Sequence, residues 1–340
     1  MRVLLTGATG FLGRALVRRF ADAGHAVVAL VRTPDAALGE LGIEQIEGDV
    51  TSLDRMITAA AGCDAVVHSA ARVAPLGRIE DWYDVNVAGT NHVLAACEYN
   101  DVRSLVFTSC AGVVIDRGDL DGVNEMQRVP VRAPSPYLAT KALAEKHVLA
   151  ANGPTLATVA IRPHLLWGPG EPRLLPRLAA LARKGKLRLF GEPGRRIDTC
   201  YVDNAADAHL AALDRIEPGA SIAGKAYFVT QGEPATVDGF LNGLLRAAGF
   251  PAETRRVPPG IARLLASTAS LRHALTGSDP LVTADSLALF GQSASFNIAA
   301  ARRELGYAPR VGMAEGFARV SAHLARERRK NRDSGLGIRD

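Results

Sequence analysis

The chain has 340 residues, a formal net charge of +5 and 48% hydrophobic residues, which allows one large or two modest domains around a sizeable core and excludes a disordered or fibrous chain. Much of the excess charge sits at Arg326, Arg328, Arg329, Lys330 and Arg332; residues 326–340 read as a solvated, flexible tail, not a nucleic-acid patch, with peripheral membrane contact left open. Cys63, Cys97, Cys110 and Cys200 are scattered, with no CxxC and no Cys/His cluster, so neither a metal site nor a disulfide framework is expected, and a reducing compartment is favoured. No apolar run reaches transmembrane length, and the N-terminus lacks the pattern of a signal peptide, which places the chain in the cytoplasm.

The predicted elements alternate. Residues 3–6 form a strand, and the turn Thr6-Gly7-Ala8-Thr9-Gly10-Phe11-Leu12-Gly13 leads into a helix over 11–23. Strands follow at 26–31 and 44–47, the latter ended by Gly48-Asp49. Ser52 caps a helix through residue 60, and 64–68 is a fourth, near-continuously apolar strand. A long helix covers 79–99 and a strand covers 104–108. The loop over 111–136 is long enough to serve a site or a lid. A helix over 137–150 and a strand over 156–161 complete the series. Strands separated by helices imply βαβ units with right-handed crossovers. The expected fold class is α/β, a Rossmann-type doubly wound parallel sheet. Prolines crowd after Arg162. Residues 1–162 then form the nucleotide-binding domain, completed by parts of 200–230, and 163–325 build a smaller substrate-binding lobe.

Two patterns carry chemistry. The first is the GxxGxxG turn between strand and helix. Gly7 permits a tight turn, Gly10 lets backbone approach a pyrophosphate, and Gly13 lets the helix sit close to the strand. The second is Tyr137 with Lys141, four residues apart and so on one helix face. An ammonium nearby favours the phenolate and makes the phenol a usable acid–base group. At the end of the second strand stands Arg32, where a carboxylate would read the adenosine 2′-hydroxyl. No carboxylate follows until Asp35. NADP(H) is therefore favoured and NAD(H) remains possible. The segment from Pro258 carries Ile261, Leu264, Leu265, Thr268, Leu271 and Leu275 on one helical face, with Arg263 and Arg272 off it. That face is either core-facing or a cover for an apolar substrate.

Together these residues resemble the extended short-chain dehydrogenase/reductase family, and within it the 3β-hydroxysteroid dehydrogenase-type branch, similar to 2-alkyl-3-oxoalkanoate reductases. The resemblance runs from TGATGFLG through His68-Ser69-Ala70-Ala71, Asn86, Tyr137 with Lys141, the RPHLLWGPG stretch from Arg162 and Tyr201-Val202-Asp203-Asn204, to Leu305-Gly306-Tyr307-Ala308-Pro309. It implies that Gly7, Gly10, Phe11, Leu12 and Gly13 cradle the pyrophosphate. Asp49 and Val50 would flank the adenine, and Ala70 and Ala71 the ribose. Asn86 would brace the active-site helix. Pro163, His164 and Leu166 would lie under the nicotinamide, with His164 also readable as a packing residue. The family's catalytic Ser falls at Cys110; Ser109 stands one residue earlier, so the oxygen-orienting group is Ser109, Cys110 or a water. The implied activity is reversible hydride transfer between a nicotinamide and a secondary alcohol or ketone on a hydrophobic small molecule. A nucleotide-sugar epimerase or dehydratase and a non-enzymatic cofactor-binding sensor are the alternatives. Epimerases of the family usually carry Asn at the position of His164, which argues against a sugar substrate. A homodimer through the 79–99 and 137–150 helices is common in the family.

Overall fold

A computed structural model describes residues 1–74, 76–116, 118–269 and 283–333. In chain order the elements of the first half are β1 (Arg2–Thr6), α1 (Phe11–Asp22), β2 (Ala26–Val31), α2 (Ala36–Glu40), β3 (Glu44–Glu47), α3 (Leu53–Ala60), β4 (Ala65–His68), α4 (Ile79–Tyr83), α5 (Gly89–Tyr99), β5 (Ser104–Thr108), β6 (Leu120–Val123), α6 (Pro136–Ala150) and β7 (Ala157–Pro163). The second half adds the short strands β8 (Leu166–Trp167), β9 (Leu189–Phe190), β10 (Arg196–Ile197) and β11 (Cys200–Tyr201), then β12 (Lys225–Val229), β13 (Ala235–Thr236), β14 (Arg256–Val257) and β15 (Ala294–Phe296). Its helices are α7 (Leu174–Arg183), α8 (Val202–Leu213), α9 (Val237–Ala247), α10 (Pro259–Ser267), α11 (Ala284–Phe290) and α12 (Met313–Asp333).

Seven strands form one parallel sheet in the order β3-β2-β1-β4-β5-β7-β12. The winding reverses between β1 and β4, so a crevice opens at their carboxyl ends. Strand residues alternate between two cores. Val3, Leu5, Val67, Val106 and Val159 pack with Leu16 of α1 and Ala205 and Ala208 of α8. Leu4, Val28, Val66, Leu105 and Ala160 pack with Met56 of α3, Val93 of α5 and Ala144 and Val148 of α6. Both faces are covered, which is why these strands read as unbroken apolar runs. Ser52 caps α3 by accepting from Arg55 N–H, and Ser135 caps α6 by accepting from Leu138 N–H.

Three expectations need revision, and an alternative left open on α10 narrows. The helix expected over 79–99 is broken by a π turn at Asp84–Ala88, which buries Asn86 and Val87. The long loop over 111–136 contains a 3-10 turn, Ala111–Val114, and strand β6, which pairs with β15 in a second, four-stranded sheet. The basic stretch from Arg326 is helical through Asp333, as the end of α12. On α10 the apolar residues Ile261 and Leu264 are exposed, while Ala262 is buried; Leu271, Arg272 and Leu275 lie outside the described residues. The C-terminal half also returns to the main sheet, where β12 lies beside β7 and α8 packs on α1. Trp167 fixes the junction: its ring packs on Tyr201, Phe240 and Phe317, and its indole N–H donates to Gln231 Oε1 at 2.9 Å.

Candidate active site

The glycine turn lies at the carboxyl end of β1. Gly7 has φ +74°, and a Cβ there would meet Ala70 N at 2.7 Å. A Cβ on Gly13 would stand 1.9 Å from Gly7 O, so turn, helix and the segment after β4 touch through bare backbone. Gly10 N–H donates to Gly7 O at 3.0 Å, which closes the turn. No side chain caps the first turn of α1 and no acidic residue stands in it; its N–H groups and positive helix end face the crevice. A diphosphate fits this backbone cradle, and a side chain at Gly7 or Gly13 would fill it. Phe11 extends toward Gly168, whose Cβ position is 3.6 Å from the Phe11 ring, and Leu12 is buried.

The rest of the cofactor groove follows the strand ends. Asp49 is held in a turn, accepting from both N–H and Oγ1 of Thr51 at 2.9 Å. Val50 is buried against Gly89. Ala70 and Ala71 are half-buried after β4. Arg32 is exposed at the end of β2. Asp35, the nearest carboxylate, accepts from Arg14 Nη2 at 2.5 Å and caps α2 through Leu38 N–H at 3.1 Å. Arg14 holds its carboxyl below the usual carboxylate range.

A buried chain of hydrogen bonds ties the glycine turn to helix α6. Ala70 N–H donates to Thr6 Oγ1 at 3.1 Å, and Thr6 Oγ1 lies 2.7 Å from His68 Nδ1. His68 Nε2 lies 3.0 Å from Thr90 Oγ1, which donates to Asn86 O at 2.6 Å. Because each hydroxyl spends its one proton along this path, Nε2 carries the imidazole proton and Nδ1 accepts. Burial pushes His68 down to about 3, so the ring stays neutral. The Asn86 side chain accepts from Arg72 N–H at 2.7 Å and donates to Thr140 Oγ1 at 3.0 Å. Thr140 in turn donates to the carbonyls of Pro136 and Tyr137. The sequence marked Asn86; it assigned no role to Thr6, His68, Thr90 or Thr140. Their signal was polar residues inside otherwise apolar strand and helix faces.

Tyr137 and Lys141 project from α6 toward the end of β5. Tyr137 is half-buried. Lys141 is 2% exposed, donates to Thr108 O at 2.6 Å and sits 4.0 Å above the Phe107 ring. Burial pulls its ammonium down to about 8, while Cys110 and Glu145 oppose the shift. The Cys110 thiol lies within hydrogen-bonding reach of Tyr137, and burial raises it to about 11. The Cys110 side chain sits deep in the crevice and keeps one face partly exposed. Ser109 differs: its N–H donates to Ile161 O, it is 3% exposed, and its Oγ is buried without a partner among the described residues. Adjacent positions on an extended strand face opposite ways, and Cys110 is the one turned to Tyr137.

Pro163 ends β7, buried and paired with Val229. His164 is 1% exposed, its ring packs on Phe296, and burial lowers it to about 4. Leu165 has φ +42°, and Leu166 beyond it is half-buried. Near this end Asp198 is fully buried. Its Oδ2 accepts from Phe296 N–H at 2.7 Å while Oδ1 lacks a partner among the described residues. Burial raises it to about 6.

A parallel doubly wound sheet, a glycine cradle at its switch point and a Tyr–Lys pair beside it define an extended short-chain dehydrogenase/reductase. The sequence profile of the 3-beta hydroxysteroid dehydrogenase/isomerase family matches residues 4–258. The chain is 40% identical over 335 residues to the 2-alkyl-3-oxoalkanoate reductase of Stenotrophomonas maltophilia (strain K279a), covering 96% of this chain and 100% of that protein. It is 36% identical to a 4-hydroxy-2-methyl-3-oxo-4-farnesyl-3,4-dihydroquinoline-1-oxide ketoreductase of Stigmatella aurantiaca, over 93% of this chain and 95% of the other. Among solved structures, the UDP-glucose 4-epimerase of Thermus thermophilus in complex with NAD superposes with a TM-score of 0.70 at 26% identity, covering 96% of this chain and 99% of the other. The chain belongs to the 3-beta hydroxysteroid dehydrogenase/isomerase family and is an NAD(P)-dependent oxidoreductase acting on CH–OH groups. Among the described residues no helix is long and apolar enough to cross a membrane.

Proposed function

We propose that the protein reduces a ketone on a hydrophobic molecule, a 2-alkyl-3-oxoalkanoate or 3-ketosteroid type of substrate, with NADP(H) favoured. The observation that carries this reading is the convergence of Tyr137, Lys141 and Cys110 at the carboxyl end of β5, next to the glycine cradle. A nicotinamide cofactor held at the glycine cradle would supply the hydride. Tyr137 Oη gives its proton to the ketone oxygen, so ketone, hydride and proton balance to the secondary alcohol. Lys141 stabilises the phenolate left behind. Cys110 S–H orients the same oxygen, as a weaker donor than a hydroxyl. Arg32, exposed at the end of β2, would pair with an adenosine 2′-phosphate, while Asp35 is withdrawn into its contacts with Arg14 and α2. Val73 on the loop after β4, and Met126, Val129 and Val131 on the loop before α6, are exposed apolar residues that an apolar substrate could cover. Names of relatives that act on alkyl and farnesylated ketones support the same class.

The test is nicotinamide absorbance with the purified wild type, NADPH and NADH each offered with a 2-alkyl-3-oxoalkanoate and a 3-ketosteroid, beside chromatography of a UDP-sugar incubated with the protein and NAD⁺. Turnover of an apolar ketone, faster with NADPH, is the expected result. Conversion of the UDP-sugar to an epimer or dehydrated product, which is redox-neutral and so read by the chromatography, with no turnover of either ketone would overturn it in favour of the epimerase class.

A further inference from the structure

Directly below the Tyr–Lys pair lies a second pair of charges. Tyr137, Lys141 and Glu145 are spaced by four and share one face of α6. Glu145 receives two hydrogen bonds from Arg162 of β7, Nε to Oε2 at 2.8 Å and Nη2 to Oε1 at 2.5 Å. The two side chains are 6% and 4% exposed for Arg162 and Glu145. Arg162 also covers the Phe228 ring at 5.3 Å, and its Nη1 has no partner among the described residues. A fork-to-fork pair this buried gains little stability over apolar packing of the same shape. Its location therefore calls for another explanation.

We propose that Glu145 and Arg162 form a positioning pair that keeps the Lys141 side chain charged and directed beneath Tyr137. Lys141 contacts the Phe107 ring and Thr108 O of β5 and lies within electrostatic reach of neutral His68 of β4, Cys110 and Glu145, with Tyr137 one turn earlier on the same helix face. Glu145 is the carboxylate in that set. Arg162 locks its carboxylate plane and offsets its charge. Lys141 therefore feels a fixed, partial attraction and is not drawn away from Thr108 into a tight ion pair. Arg162 also precedes Pro163 and His164, so the pair joins α6 to the strand end at the crevice.

The inference rests on Tyr137 being the acid. Wild-type turnover tests that reading, and a titration tests the pair without turnover. The probe is the phenolate absorbance of Tyr137 in the near ultraviolet, taken as the difference between each background and the same background with Tyr137→Phe. Glu145→Gln combined with Arg162→Met removes both charges at similar volume. Its half-point is expected about one to three pH units above wild type, because a neutral Lys141 no longer favours the phenolate. Arg162→Lys keeps the charge but replaces the fork by a single donor, and its half-point is expected between wild type and the double variant. Ketone reduction by the double variant should fall about tenfold at about pH 8 and recover toward wild type at about pH 6, where Lys141 regains its proton. An unchanged half-point, or an equal loss of rate at both pH values, would overturn the proposal and leave the pair a packing feature. If the double variant does not fold by circular dichroism, Glu145→Gln alone takes its place in the same titration, and an unchanged half-point there overturns it equally.

Discussion

The two halves of the molecule are held together by different means. Around the glycine turn, fit is set by backbone against backbone and by strands buried on both faces, as at Gly7, Gly13 and Ala70. Beyond Pro163 the strands of the small sheets shrink to two or three residues, and side chains do the joining. Asn204 Oδ1 accepts from Arg310 and Val311 N–H, Asp198 accepts from Phe296 N–H, and Asn242 bonds both N–H and O of Glu253. A cofactor common to many reactions favours the first kind of construction, which tolerates little change. A substrate particular to one reaction favours the second, where single side chains can be exchanged without unwinding a sheet.

This contrast can be broken from either side. In the first half, Gly13→Val drives a side chain into Gly7 O. It should cost about 4 kcal/mol or more in urea unfolding and abolish NADPH binding by fluorescence; retained binding would contradict the backbone cradle. Arg32→Asp should next lower NADPH affinity about 10- to 100-fold while NADH affinity holds or rises, a ratio read by titrating both. An unchanged ratio would refute the role of Arg32. In the second half, Asp198 carries a pH signature. Its folded pKa of about 6 lies above the unfolded carboxylate value. The native state thus binds the extra proton between about pH 4 and 6, and wild-type stability falls as pH rises through that window. Asp198→Asn should therefore gain about 2 kcal/mol over wild type at about pH 8 and much less at about pH 4; equal differences at both would show that Asp198 does not titrate there. The smallest effect is expected from Cys110→Ser, a few-fold rise in ketone turnover as a stronger donor takes the thiol's place. A loss of more than about tenfold would mean that the thiol's size, not its donor strength, shapes the site.

Legibility in the sequence followed the same division. Strand β2 was readable from its apolar run, β3 from the Gly48-Asp49 turn that ends it, and the starts of α3 and α6 from the capping Ser52 and the helix-opening Pro136. Strand β6 was not, since Leu120-Asp121-Gly122-Val123 has neither alternation nor length to separate it from a loop. The π turn at Asp84–Ala88 adds a residue within a pattern that otherwise continues as helix. The apolar residues of α10 suggested a face, and which side it turns to solvent depends on neighbours distant in sequence. The choice between Ser109 and Cys110 needed the strand's end in three dimensions. The relay from Thr6 through His68 to Asn86 joins positions 22 and 62 residues apart, and no local period announces it.

The most direct test compares Tyr137→Phe with wild type in two assays on the same preparation: NADPH affinity by fluorescence and ketone reduction by absorbance. The account predicts affinity within a few-fold of wild type and turnover lower by about 10²- to 10⁴-fold, the contribution of a positioned proton donor. Turnover that survives the loss of the hydroxyl would contradict it.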